Sequence, residues 1–242
     1  AKWIFENIVF GPARPEFPTF KVLCKLGQFL NMDGLCITDI PFKVQSRNMT
    51  GQFTMHIMAS FILGLMIAFP YVAWEIWRFI KPGLQVKERK YSRGAVAAIS
   101  ILFFFGVMFG YYVITPWMVY FLANYSISDM VVNEFDITSY VSTVVMLVFG
   151  SGLLFQLPVV IYFLTKIGIV TPEFLRKYRK HSIIIILIVA AIVTPPDPLS
   201  QMLITIPLYL LFEISILISA AVAKRKAKEE AEELLREQSL PS

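Results

Sequence analysis

The sequence predicts an all-α integral membrane protein, a bundle of bent helices with a cap on one face. Two observations carry that prediction. Long apolar runs recur near residues 53–79, 95–123, 141–165, 182–194 and 200–223. The loops between them alternate in charge. Loop 80–93 carries Lys81, Lys87, Arg89, Lys90 and Arg93, whereas loop 124–138 carries Asp129, Glu134 and Asp136 and no Lys or Arg. The following loop is basic again, with Lys166, Arg176, Lys177, Arg179 and Lys180. Basic loops stay in the cytoplasm, so the alternation implies a topology. Composition agrees: 57% of residues are apolar, 16% are charged, and the mean hydropathy is +0.65. A soluble domain carries roughly a quarter charged residues. The net charge of +5 sits in the cytoplasmic loops and tail, where anionic lipid explains it, and no nucleic-acid surface is expected.

Residues 1–52 read as the end of a preceding span followed by an extracytoplasmic cap. Five spans with a basic tail (Lys224, Arg225, Lys226, Lys228) place the N-terminus outside. Nothing ahead of residue 53 could carry it there, so an upstream span is expected, with Ala1–Phe10 as its outer end. Six spans with both ends cytoplasmic result. Gly11-Pro12, Pro15, Pro18, Gly27, Gly34 and Pro41 suit an ordered cap, and 20–30 has the apolar spacing of a helix lying at the interface. Cys24 and Cys36 both fall in this exported segment. An oxidising compartment permits a disulfide between them, with two unpaired thiols as the alternative.

Residues 53–223 form the transmembrane bundle. Pro70, Pro116, Pro158 and Pro207 lie in its long runs, each removing a backbone hydrogen bond and bending its helix. The run 182–193 is only 12 residues, or roughly 18 Å of helix. It meets Thr194-Pro195-Pro196-Asp197-Pro198, a turn, and the chain returns through 200–223. Residues 224–242 are a charged cytoplasmic tail with opposite charges three and four apart.

Phosphate-binding loops, zinc motifs and nucleophile elbows are absent, so no enzyme, metal or cofactor is expected. Polar residues at membrane depth are few: Glu75, Gln156, Asp197, Gln201 and Glu213. Such residues usually face a bundle interior or a wet cavity. Glu75 lies beside Arg78. Glu213 has apolar neighbours on both sides and needs a partner or a proton. Glu88 is a lone carboxylate in Lys87-Glu88-Arg89-Lys90.

The stretch Trp77-Arg78-Phe79-Ile80-Lys81-Pro82-Gly83-Leu84, ending in Lys87-Glu88-Arg89, resembles the first cytoplasmic loop of the TatC family. That family supplies the multispanning subunit of the twin-arginine protein translocase. Thr194-Pro195-Pro196-Asp197, Ser200-Gln201, Ile206-Pro207-Leu208 and Phe212-Glu213-Ile214 resemble its last hairpin, and Phe155-Gln156-Leu157-Pro158 its fourth span. The resemblance implies six spans and a location in the bacterial inner membrane. It also implies that Glu88, with Phe79 and Arg89 nearby, receives the consecutive arginines of signal peptides on folded cargo. The hairpin residues Thr194, Pro195, Asp197, Gln201 and Glu213 would dock single-span partners of the TatA and TatB type in an oligomeric complex. The proton-motive force would drive export. Gln156 stands where the family often has Glu. The other reading is a secondary transporter for a small solute or ion, which interrupted helices and Glu213 would suit. The two halves show no internal repeat to support it.

Overall fold

The computed structural model describes residues 2–29, 36–37, 40–41, 43–80, 92–128, 133–194 and 198–238. Four candidate residues, Glu88, Arg89, Pro195 and Asp197, lie outside them.

The chain opens with a helical turn, α1 (Lys2–Ile4), that continues as a π-helical segment, Phe5–Val9. After a 3-10 turn, Gly11–Ala13, comes α2 (Pro18–Phe29). The first long helix is α3 (Gly51–Ile80). The second rod joins α4 (Ser92–Phe109), a π-helical turn at Gly110–Ile114, and α5 (Thr115–Asn124). The third joins α6 (Ile137–Leu154) and α7 (Leu157–Ile167) across a break at Phe155 and Gln156. Then follow α8 (Pro172–Lys177), α9 (Arg179–Val193) and α10 (Pro198–Gln238).

Four rods are long and apolar enough to cross a membrane: Gly51–Phe79, Val96–Asn124, Ile137–Ile167 and Ser200–Lys228. The remaining expected span, the fourth in chain order, differs. Its helix, α9, begins three residues ahead of the apolar run, at Arg179, and has 15 residues. That is about 23 Å, short of a hydrocarbon core about 30 Å thick. The charged segment after 223 continues α10, which runs unbroken to Gln238.

The prolines act differently from one another. Pro70 and Pro207 lie within helices that continue past them. Pro158 occupies the first turn of α7, where a missing N–H costs nothing. Pro116 follows the π-helical turn and has no N–H to give to the carbonyl of Tyr112. The hydroxyl of Thr19, in α2, donates to that carbonyl instead.

Close helix contacts hold the bundle together. Gly106, Gly110 and Gly152 let α4 and α6 approach, and Ser151 Oγ donates to Gly106 O at 2.7 Å across the crossing. Small residues and interhelical hydrogen bonds are the usual glue where lipid tails are as apolar as leucine. Phe103, fully buried, stacks on Phe69 at 3.6 Å. Between α7 and α10, the buried hydroxyls of Thr165 and Ser219 meet at 2.8 Å. Large apolar side chains such as Phe61, Ile67, Ile101, Phe105, Ile188 and Ile206 point outward. An exposed apolar surface this continuous marks a lipid-facing protein.

The segments outside the long rods hold a feature that an all-α reading did not anticipate. Two short strands, β1 (Lys43–Gln45) and β2 (Glu134–Asp136), pair in parallel with Val44 opposite Phe135. They tie the segment before α3 to the segment before α6. Asp136 then caps α6, accepting from Thr138 N at 2.7 Å and from Arg47 N at 3.1 Å. Hydrogen bonds from Thr138, then the amide and charge of Arg47, hold its carboxyl below the usual value. Phe17, Phe20, Ile40 and Ala123 form a second, smaller core. Cys24 and Cys36 are joined by a disulfide.

Candidate functional site

The charge alternation places the ends of α3, α7 and α10, and the starts of α4 and α9, at one end of the bundle. The last turns of α3 open onto that end. Trp77 is buried against Phe163 of α7, ring centroids 4.8 Å apart, which fixes the helix end to the third rod. Its indole N–H has no partner among the described residues. Glu75 and Arg78 lie 3.8 Å apart, and the guanidinium sits 5.9 Å from the centre of the Trp74 ring. Both charges are well exposed, so this pair adds little stability. One residue on, Phe79 is 85% exposed. A phenyl ring bare at the mouth of a basic loop is a platform for an apolar or guanidinium group. The loop itself, with Glu88 and Arg89, falls in 81–91, outside the described residues.

The α9–α10 hairpin is braced at two levels. Near its tip, Gln201 Nε2 donates to Leu187 O at 3.3 Å. At its base, Arg179 Nη2 lies 2.8 Å from Glu213 Oε2, and Tyr209 Oη donates to Glu213 Oε1 at 3.0 Å. The partner that Glu213 needs is thus Arg179, 34 residues away in sequence. Sequence reading had placed Arg179 only among the basic loop residues, since its pairing depends on the hairpin register. Thr194 is buried at the turn, its hydroxyl donating to Ala190 O at 3.0 Å. Outside these braces the hairpin is apolar. Ile184, Ile185, Ile188 and Ile192 of α9 are exposed, as are Met202, Ile206, Leu210 and Ile214 of α10. The α10 residues fall four apart, a stripe that slants across the helix surface.

Gln156 sits at the break between α6 and α7. Its Nε2 donates to Ile99 O at 3.1 Å, which links the third rod to the second. Its Oε1 is buried with no partner among the described residues. Beside it, a cavity of about 190 Å³ opens between α7 and the hairpin, lined by Leu157, Val160, Ile185, Ile186, Val189 and Leu208. Gln156 therefore faces the hairpin region, while Glu75, Phe79 and the 81–91 loop form a separate site at the end of α3. No group of three metal-binding side chains occurs among the described residues.

The sequence profile of the family described as "Sec-independent protein translocase protein (TatC)" matches residues 1–207. The chain belongs to the TatC family. A TatC of Blattabacterium sp. subsp. Periplaneta americana is 40% identical over 225 residues, covering 92% of this chain and 85% of that protein. TatCy of Bacillus subtilis is 40% identical over 185 residues, covering 76% and 72%. Among solved structures, one titled "Crystal Structure of Twin Arginine Translocase Receptor- TatC" superposes with a TM-score of 0.67 at 27% identity. It covers 91% of this chain and 96% of that one. A small-solute carrier finds no support in these matches. As a TatC-family member with four long apolar helices, the protein is a multi-pass membrane protein of the bacterial inner membrane and a translocase component.

Proposed function

We propose that this chain is the signal-peptide receptor and assembly core of a twin-arginine translocase. The observation that carries the reading is the superposition, over nine-tenths of the chain, on a structure titled as a twin-arginine translocase receptor. In this reading, the basic end of the bundle faces the cytoplasm. Residues 1–52 lie at or beyond the outer surface, 53–223 cross the bilayer with α9 and α10 as the last hairpin, and 224–242 return to the cytoplasm. Both ends of the full-length protein are then cytoplasmic.

Glu88 receives the consecutive arginines. A guanidinium presents a planar fork that matches a carboxylate bidentately, and an ammonium does not. Phe79, bare at the end of α3, lies on the path from that loop into the bundle, and Arg89 sets the local charge. Glu88→Ala in the full-length protein is expected to weaken a twin-arginine signal peptide by about 10- to 100-fold, the loss of one charge-assisted bidentate contact. Unchanged affinity rejects the site.

The hairpin docks single-span partners of the TatA and TatB type. Thr194, Pro195, Asp197 and Gln201 mark its tip, Glu213 its base, and the exposed stripes of α9 and α10 offer the apolar contact. Because Gln201 and Glu213 are already bonded within the hairpin, they hold its shape for a partner. Glu213→Lys is therefore expected to weaken partner assembly more than signal-peptide binding; the opposite order removes docking from this face. The energy source is the proton-motive force acting on the assembled oligomer.

A further inference from the structure

The cap helix α2 carries a surface that the translocase reading leaves unused. Its start is pinned to the second rod at three points. The Thr19 hydroxyl donates to Tyr112 O, Phe17 packs on Tyr111 and Tyr112 at 5.4 and 5.6 Å, and Phe20 meets Tyr120 at 6.3 Å. These contacts set its depth. The rod Val96–Asn124 has 29 residues, about 43 Å of helix, which exceeds a core of about 30 Å. Tyr120 is four residues from Asn124, or about 6 Å along the rod from its capped end. Tyr112 is about 18 Å from the same end. These contacts fix α2 along the capped end of a rod apolar enough to cross a membrane, so the side of it turned away from the bundle adjoins the lipid boundary there.

That side is divided. At about 100° per residue, Val22, Leu26 and Phe29 fall in one sector of α2, all exposed, with Phe29 at 86%. Lys21 and Lys25, one turn apart and also exposed, form the adjoining edge. Phe20 and Gly27, on the opposite side, are buried against the bundle. Neither lysine forms an ion pair among the described residues. An apolar sector beside a cationic edge is the layout of a helix lying in the headgroup boundary.

We propose that α2 is a binding site for anionic phospholipid in the leaflet at the capped end of the bundle. Lys21 and Lys25 contact the phosphate, and Val22, Leu26 and Phe29 lie among the upper acyl carbons. The lysine stems reach outward to the headgroups from a backbone at the boundary. The disulfide to Cys36 and the Thr19 bond hold the helix at this depth. This inference does not depend on the signal-peptide reading.

The test is a photoreactive benzoylphenylalanine at Val22 of the full-length protein in vesicles of phosphatidylglycerol and phosphatidylcholine, each lipid tagged in turn. The expected result is an adduct favouring phosphatidylglycerol. Lys21→Gln with Lys25→Gln should lower that preference on the order of tenfold, whereas Lys21→Arg with Lys25→Arg should keep it. An intact Cys24–Cys36 bridge on a non-reducing gel shows that each variant retains the cap. No lipid adduct at Val22, equal labelling of the two lipids, or an unchanged preference in the glutamine variant overturns the site.

Discussion

Replacing Gly106 with alanine tests a close helix crossing in the bundle. A Cβ at this position would stand 2.8 Å from both Cβ and Cγ of Phe155 and 2.8 Å from the carbonyl oxygen of Ser151. Ordinary carbon contacts begin near 3.5 Å, so α4 and α6 must part by about 0.7 Å. The bond from Ser151 Oγ to Gly106 O, now 2.7 Å, would stretch beyond useful length. Ser151 keeps a second acceptor in Val148 O at 3.0 Å, so its hydroxyl is not orphaned. Overpacking then costs about 1–3 kcal/mol and the lost bond about 1 kcal/mol. A total of about 2–4 kcal/mol lowers the unfolding midpoint of a chain this long by about 5–15 °C. The assay is thermal unfolding of the full-length protein in lipid nanodiscs, followed by far-ultraviolet circular dichroism. Gly64→Ala is the control, because nothing lies within 4 Å of its new Cβ and alanine favours helix over glycine. It should leave the midpoint unchanged or raise it slightly. Equal midpoints for the two variants would refute the close-approach argument.

Three further outcomes are expected. A double-mutant cycle with Arg179→Gln and Glu213→Gln should give a coupling of about 0.5–1.5 kcal/mol, discounted because both side chains are partly exposed; a coupling of zero would mean that the bond at the hairpin base does not hold it closed. Asp136 has a folded pKa lowered below its ordinary 3.8, so its contribution is complete above that value and is lost as pH falls through the lowered one. Amide exchange in the first turn of α6 should accelerate over that acidic range, and Asp136→Asn should remove most of the pH dependence; an unaltered profile in the variant assigns the effect elsewhere. Cys24→Ser opens a disulfide spanning a sequence separation of 12 and should destabilise the cap by up to about 3 kcal/mol; cap proteolysis at the wild-type rate would count against that.

The four long rods were legible to within a few residues, because a hydrocarbon core of fixed thickness demands a long apolar helix. The run 141–165, for example, lies within the rod Ile137–Ile167. The shortness of the run that became α9 was equally plain. What escaped depends on register. Arg179 reaches Glu213 only because two helices turn back at Thr194 with a particular offset, and no local pattern encodes that offset. The same holds for Thr19, which meets the carbonyl freed by Pro116 from 93 residues away. The parallel pairing of Lys43–Gln45 with Glu134–Asp136 is too short to leave a period of two in the sequence. Gln156 stands out as a polar residue in an apolar span, but its bond to Ile99 depends on how two distant rods cross.

The most direct test of the receptor reading is site-specific photocrosslinking from positions in the 81–91 loop of the full-length protein. Two signal peptides are compared, one with Arg-Arg and one with Lys-Lys. Crosslinks to the Arg-Arg peptide alone, lost in Glu88→Ala, are the predicted result. Equal crosslinking of both peptides, or of neither, would contradict a twin-arginine receptor at this loop.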